Sequence, residues 1–185
     1  ETGTMTPSDR GWRPTRVFFC PELMEVLVSM LDGVSPPRVQ AEAGEAGVEG
    51  LTWHVLKLMS LLARADANTH ALLGCGGVAG ALRVLSQPWP PAHVEVALAL
   101  LQNVAYTSEG VSSILAESGV PAVLSAMSVH ACQAPVQRNG LGVLWNLCDS
   151  DEHWTAFLRE GTSLVSVLLT TLVNHPDDSR IEESV

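Results

Sequence analysis

Apolar residues recur along most of this chain at intervals of three and four, the spacing that stripes one face of an α-helix. Leu51, Val55, Leu58, Met59 and Leu62 predict a helix from about Glu49 to Ala63. Before it, Pro21 opens another amphipathic stretch, Glu22 to Leu31, with proline near the first turn, where its missing N–H does no harm. The same reading predicts long helices at His93–Tyr106 and Val136–Cys148, and medium ones at Val78–Leu85, Val120–Met127 and Leu164–Val173. Short helices are expected at Asn68–Gly74, Glu109–Glu117 and Glu152–Leu158. Residues 1–19 show no periodicity and read as an irregular tail, whereas 20–174 form one helical unit. Within it, residues 33–48 contain Gly33, Pro36, Pro37, Gly44 and Gly47 and read as a long loop. Residues 175–185 read as a frayed acidic tail.

The order short, medium, long recurs with a fixed period. Gln102-Asn103-Val104-Ala105 returns as Trp145-Asn146-Leu147-Cys148 after 43 residues, and Ser60 stands 43 residues before Asn103. Gly77-Val78 recurs as Gly119-Val120 and then as Gly161-Thr162, each time after 42 residues. Periods of this size mark helical solenoids, in which each unit buries its apolar side against its neighbours. Such molecules present long surfaces, so the pattern indicates an interaction module. Gly119 and Pro121 mark the corner between short and medium helices, glycine suiting a left-handed turn and proline the first turn that follows.

The Gly-Val-Pro corner, the period and the asparagine near the end of each long helix resemble the armadillo repeat family over residues 20–174. The resemblance implies an all-α, right-handed solenoid of about three to four repeats, with incomplete units at both ends. It also implies a concave groove in which Asn103 and Asn146 bond the backbone of an extended peptide. Ser60 takes that place in the first repeat. One helical turn back, Trp53, Val96 and Asn139 face the same groove, Asn139 forming a polar strip with Asn146 and Ser150 and Trp53 offering an anchor. Family members that import nuclear cargo carry Trp four residues before the asparagine. Leu56, Ala99 and Gly142 stand there instead, so that cargo is not implied. Three long helices make a short groove, which suggests a fragment or regulatory appendage of a larger protein.

Charge narrows the partner. The net charge is −10, and the chain has a single lysine, Lys57. Three of its ten basic residues, Arg10, Arg13 and Arg16, precede residue 17. Nucleic acid binding requires basic side chains that displace counterions, so the expected partner is a protein or peptide segment, with a basic one favoured by the field. Cys20, Cys75, Cys132 and Cys148 are scattered and no Asn-x-Ser/Thr acceptor occurs, which together lean toward a reducing, cytoplasmic setting. The apolar run Leu164–Val173 is too short to span a bilayer, so no membrane is expected. It is apolar on more than one face and predicts self-association through that helix.

No cofactor, metal site or catalytic residue is expected. Gly74-Cys75-Gly76-Gly77-Val78-Ala79 fits a dinucleotide fingerprint formally, but that motif requires a preceding strand and helical text precedes it here. His and Cys pairs lack four-ligand zinc spacing. Two alternatives to the scaffold stand: an enzyme with an unrecognised site near Cys148, Asp151 and His153, or a structural module whose groove is filled by its own 33–48 loop.

Overall fold

The computed structural model describes residues 21–32, 45–148 and 154–184. They form helices and turns, with no strand among the described residues. In chain order these are α1 (Pro21–Asp32), α2 (Glu45–Leu62), α3 (Asp66–Gly74), α4 (Gly77–Leu85), α5 (Pro91–Val104) and α6 (Ser108–Ala116). There follow α7 (Gly119–Val129), α8 (Ala134–Leu147), α9 (Trp154–Arg159), α10 (Gly161–Asn174) and α11 (Ser179–Glu182). The chain is all-α and solenoid-like in its general plan. None of the described helices is by itself long and apolar enough to cross a membrane.

The sequence period has a structural counterpart. The long helices α2, α5 and α8 lie side by side, and the medium helices α1, α4, α7 and α10 form a second row behind them. The short helices α3 and α6 touch each other as well. Between the rows runs a continuous core, including Leu56, Met59, Leu72, Leu98, Leu101, Met127 and Leu147, all fully buried. Side-chain stripes at helical spacing bury because each helix has neighbours in its own row and in the other.

The first two corners between short and medium helices are tight, whereas the third turns at Glu160 with a φ of −94°. Gly76 and Ser118, 42 residues apart, adopt left-handed φ values of 81° and 59°. The turn residue is thus the one before Gly77 and Gly119. Those glycines serve close approach: a Cβ at Gly77 would overlap Leu72, and one at Gly119 would overlap Ile114. Three boundaries also differ from expectation. Helix α2 begins at Glu45, four residues earlier than Glu49. The loop is correspondingly shorter, and its residues 33–44 lie outside the described ones, as do 1–20. The tail holds α11, capped by Asp178, whose carboxylate accepts from Ile181 N–H and pairs with Arg138 at 2.8 Å. Ile181 is buried, and α11 packs on α8.

Candidate functional site

The predicted site residues lie on the side of the long-helix row that no other described helix covers. On α5 the only half-buried side chains after its first turn are Glu95, Ala99, Gln102 and Asn103, all on one face. On α8 the corresponding strip is Arg138, Asn139, Gly142, Trp145 and Asn146. Asn103, Asn139 and Asn146 are half-buried at the edge of this face, where each long helix meets the one before it. Trp53 is half-buried on α2, packed against the core and edge-on to His54 at 5.0 Å. Ser150 lies outside the described residues.

Each amide reaches back to the helix before it. Asn103 Nδ2 donates to Ser60 O at 2.7 Å, Asn146 Nδ2 to Gln102 O at 3.1 Å, and Asn139 Nδ2 to Glu95 O at 3.0 Å. The first two of these carbonyls are in the last turn of their helices, where no following N–H of the same helix is available. Ala63 N–H bonds Met59 O and Ala65 N–H bonds Leu62 O, leaving Ser60 O to Asn103. Ala105 N–H bonds Leu101 O and Tyr106 N–H bonds Asn103 O, leaving Gln102 O to Asn146. Neither helix ends with a basic side chain in its last turn, so the neighbouring amide does the capping.

The same device recurs across the fold. Asn68 Nδ2 closes on Leu62 O, Thr69 Oγ1 on Ala63 O, and Gln137 Nε2 on Met127 O. Arg83 Nη2 closes on Leu31 O at 2.8 Å and pairs with Asp32. Asn146→Ala is accordingly expected to lower stability by about 1 kcal/mol, read as a lower denaturation midpoint. An unchanged midpoint would leave the amide without a structural role.

These bonds also correct the alignment of Ser60. Its carbonyl accepts from Asn103 as that of Gln102 accepts from Asn146, so Ser60 is the counterpart of Gln102, 42 residues on. Leu61, not Ser60, occupies the asparagine position on α2. Ser60 is buried, and its hydroxyl also meets Asn103 Nδ2 at 3.3 Å. It belongs to the joint between helices rather than to an open surface.

Each asparagine keeps its Oδ1 without a partner among the described residues, and Asn139 and Asn146 also keep a second N–H, whereas both of Asn103's are turned to Ser60. The sequence reading missed Trp145, which is 67% exposed beside Asn146, and Tyr106, also exposed, one turn beyond Gln102. Gln102 itself lies over Gly142, where a Cβ would overlap its amide. The available signal was the residue just before each asparagine, Gln102 and Trp145, at the same 43-residue spacing.

Cys148, half-buried at the end of α8, has its thiol pushed up from the usual range by burial. That disfavours the thiolate, the form a nucleophile requires. Asp151 and His153 lie outside the described residues. Burial also raises the Cys75 thiol, with a smaller upward push from Glu25. Among the described residues no group of three His, Cys, Asp or Glu side chains could hold a metal ion. The Gly74–Ala79 text follows helix α3, not a strand. No family model matches the chain, and neither the curated proteins nor the solved structures contain a significant match.

Proposed function

We propose that this chain is a non-catalytic protein–protein interaction scaffold, an armadillo-like, right-handed solenoid of about three to four repeats with incomplete terminal units. Its concave groove is the uncovered side of α2, α5 and α8, and its occupant is an extended protein or peptide segment. The observation that carries the reading is the row of asparagines whose Oδ1 atoms stay open after their Nδ2 groups have bonded the preceding helix. An amide Oδ1 accepts a peptide N–H, and at Asn139 and Asn146 the second N–H donates to a peptide C=O, whatever the side chain that follows. Each such bond contributes about 0.5–1.5 kcal/mol net. Trp145 adds an exposed aromatic of the kind that anchors interface hot spots. The net charge of −10 favours a basic segment and disfavours nucleic acid.

Trp145→Ala is the informative variant, because the side chain is mostly solvent-exposed and its loss should leave the fold unchanged. Peptides selected from a displayed random library on the wild-type chain are expected to bind Trp145→Ala at least about tenfold more weakly, a loss on the order of 1.4 kcal/mol. The thermal midpoint should not move. Selected peptides that bind both proteins equally well would remove the groove from consideration.

A further inference from the structure

Helix α2 carries a face that its two counterparts bury. Leu51, Leu58 and Leu61 are 50%, 39% and 52% exposed, and His54 between them is exposed as well. In the register set by the asparagine bonds, these four positions correspond to His93, Val96, Leu100 and Asn103 on α5, and to Val136, Asn139, Val143 and Asn146 on α8. There the aliphatic and His93 side chains are buried, while all three asparagines donate to the long helix before them. The face is thus the one by which a long helix stacks on its predecessor. Among the described residues, α2 has no long helix before it.

The residues on this face indicate what covers it. A predecessor of the kind seen inside the molecule would present a last-turn carbonyl to the asparagine position. Leu61 stands there and has nothing to donate. Leu51, His54, Leu58 and Leu61 are spaced three, four and three apart, the a/d spacing of a helix seam. Run antiparallel to itself about a twofold axis, the stripe sets Leu51 opposite Leu61 and His54 opposite Leu58. On α1, Leu23, Val26 and Met30 repeat the three-then-four spacing and are also exposed, on the side away from the Leu31–Gly80 contact with α4.

We infer that the outward face of α2 pairs with the same face of a second copy of this chain, in a closed twofold dimer. Twofold pairing is the commonest closed assembly because one patch serves both subunits. The α10 stripe is the competing surface. Val165, Leu169 and Val173 are exposed there, on the flank opposite the Ser163 and Val167 edge that faces α7. Their steps of four drift round the helix by about 40° each, which makes a poorer seam. Three leucines and a histidine per copy make a small interface, so association in the micromolar range is expected.

Sedimentation of the whole chain under reducing conditions, from roughly 1 to 200 µM, tests the pairing. The mass should rise from 19.7 kDa toward twice that value. The double variant Leu58→Glu, Leu61→Glu should stay at the single-chain mass with unchanged helical circular dichroism, because both side chains are exposed in the wild type. Leu58→Ser with Leu61→Ser serves as the milder version. The pair Leu169→Glu, Val173→Glu on α10 should associate like wild type. A wild-type chain of single mass throughout the range overturns the inference. So does dissociation caused by the α10 pair and not by the α2 pair. Dimerisation that appears only after residues 1–20 are removed assigns the face to the chain's own N-terminal segment and overturns it equally.

Discussion

Replacing Gln137 with alanine is expected to lower the unfolding free energy by about 3 kcal/mol, read as a shift in the denaturant midpoint. Gln137 is fully buried in the first turn of α8 and makes three hydrogen bonds. Its Nε2 donates to Met127 O at 2.9 Å and to His130 O at 3.0 Å, and its Oε1 accepts from Thr171 Oγ1 at 2.7 Å. The first carbonyl belongs to the last turn of α7 and the hydroxyl to α10, so one side chain ties three helices together. Removal strands Met127 O and the Thr171 hydroxyl away from water, while His130 O keeps the Gln133 N–H, and a stranded buried group costs about 1–3 kcal/mol. Gln137→Leu separates the causes. Leucine largely fills the space but satisfies none of the polar groups, so a loss of about 2 kcal/mol should persist. A leucine variant as stable as wild type would mean that packing, and not capping, explains the alanine result.

Gln137 also shows what could be seen before the structure and what could not. The helices, their order and their period follow from apolar spacing within a few residues of each other, and these were legible. The asparagine row was legible too, because Asn103 and Asn146 repeat at a fixed interval. The direction of each amide was not. Successive residues on a helix point about 100° apart, so aligning Ser60 instead of Leu61 with Asn103 turned one position from the joint to the open face. A hydrogen-bond partner 43 residues away leaves no trace in the local text around Asn103. Gln137 likewise reads as an ordinary polar residue after Pro135. Only the packing of α7 and α10 around it makes it a keystone. The tail was misjudged because α11 is held by Arg138 and by the burial of Ile181, both tertiary effects. Repetition reveals which residues matter, and stacking decides what they do.

Two alanine substitutions at glycines should move stability in opposite directions, and the first is the second large effect expected here. Gly110 lies in the first turn of α6, its N–H capped by Thr107 Oγ1 at 3.1 Å. A Cβ there would overlap the carbonyl oxygen of Val104, the last residue of α5, and would also press on its carbonyl carbon at 2.8 Å. Both partners are backbone, so no rotamer change relieves the clash and the α5–α6 corner must open. Gly110→Ala is expected to cost about 3 kcal/mol or more, at the upper end for an overpacked site. Gly50, inside α2, has nothing within 4 Å of a built Cβ and a φ outside the left-handed region. Alanine there removes backbone freedom from the unfolded chain and should add about 0.5–1 kcal/mol. Thermal and denaturant midpoints of the two variants give the answer directly. If Gly110→Ala unfolds at the wild-type midpoint, the close passage of α6 over the end of α5 is wrong, and the asparagine register that depends on the same corner loses its footing.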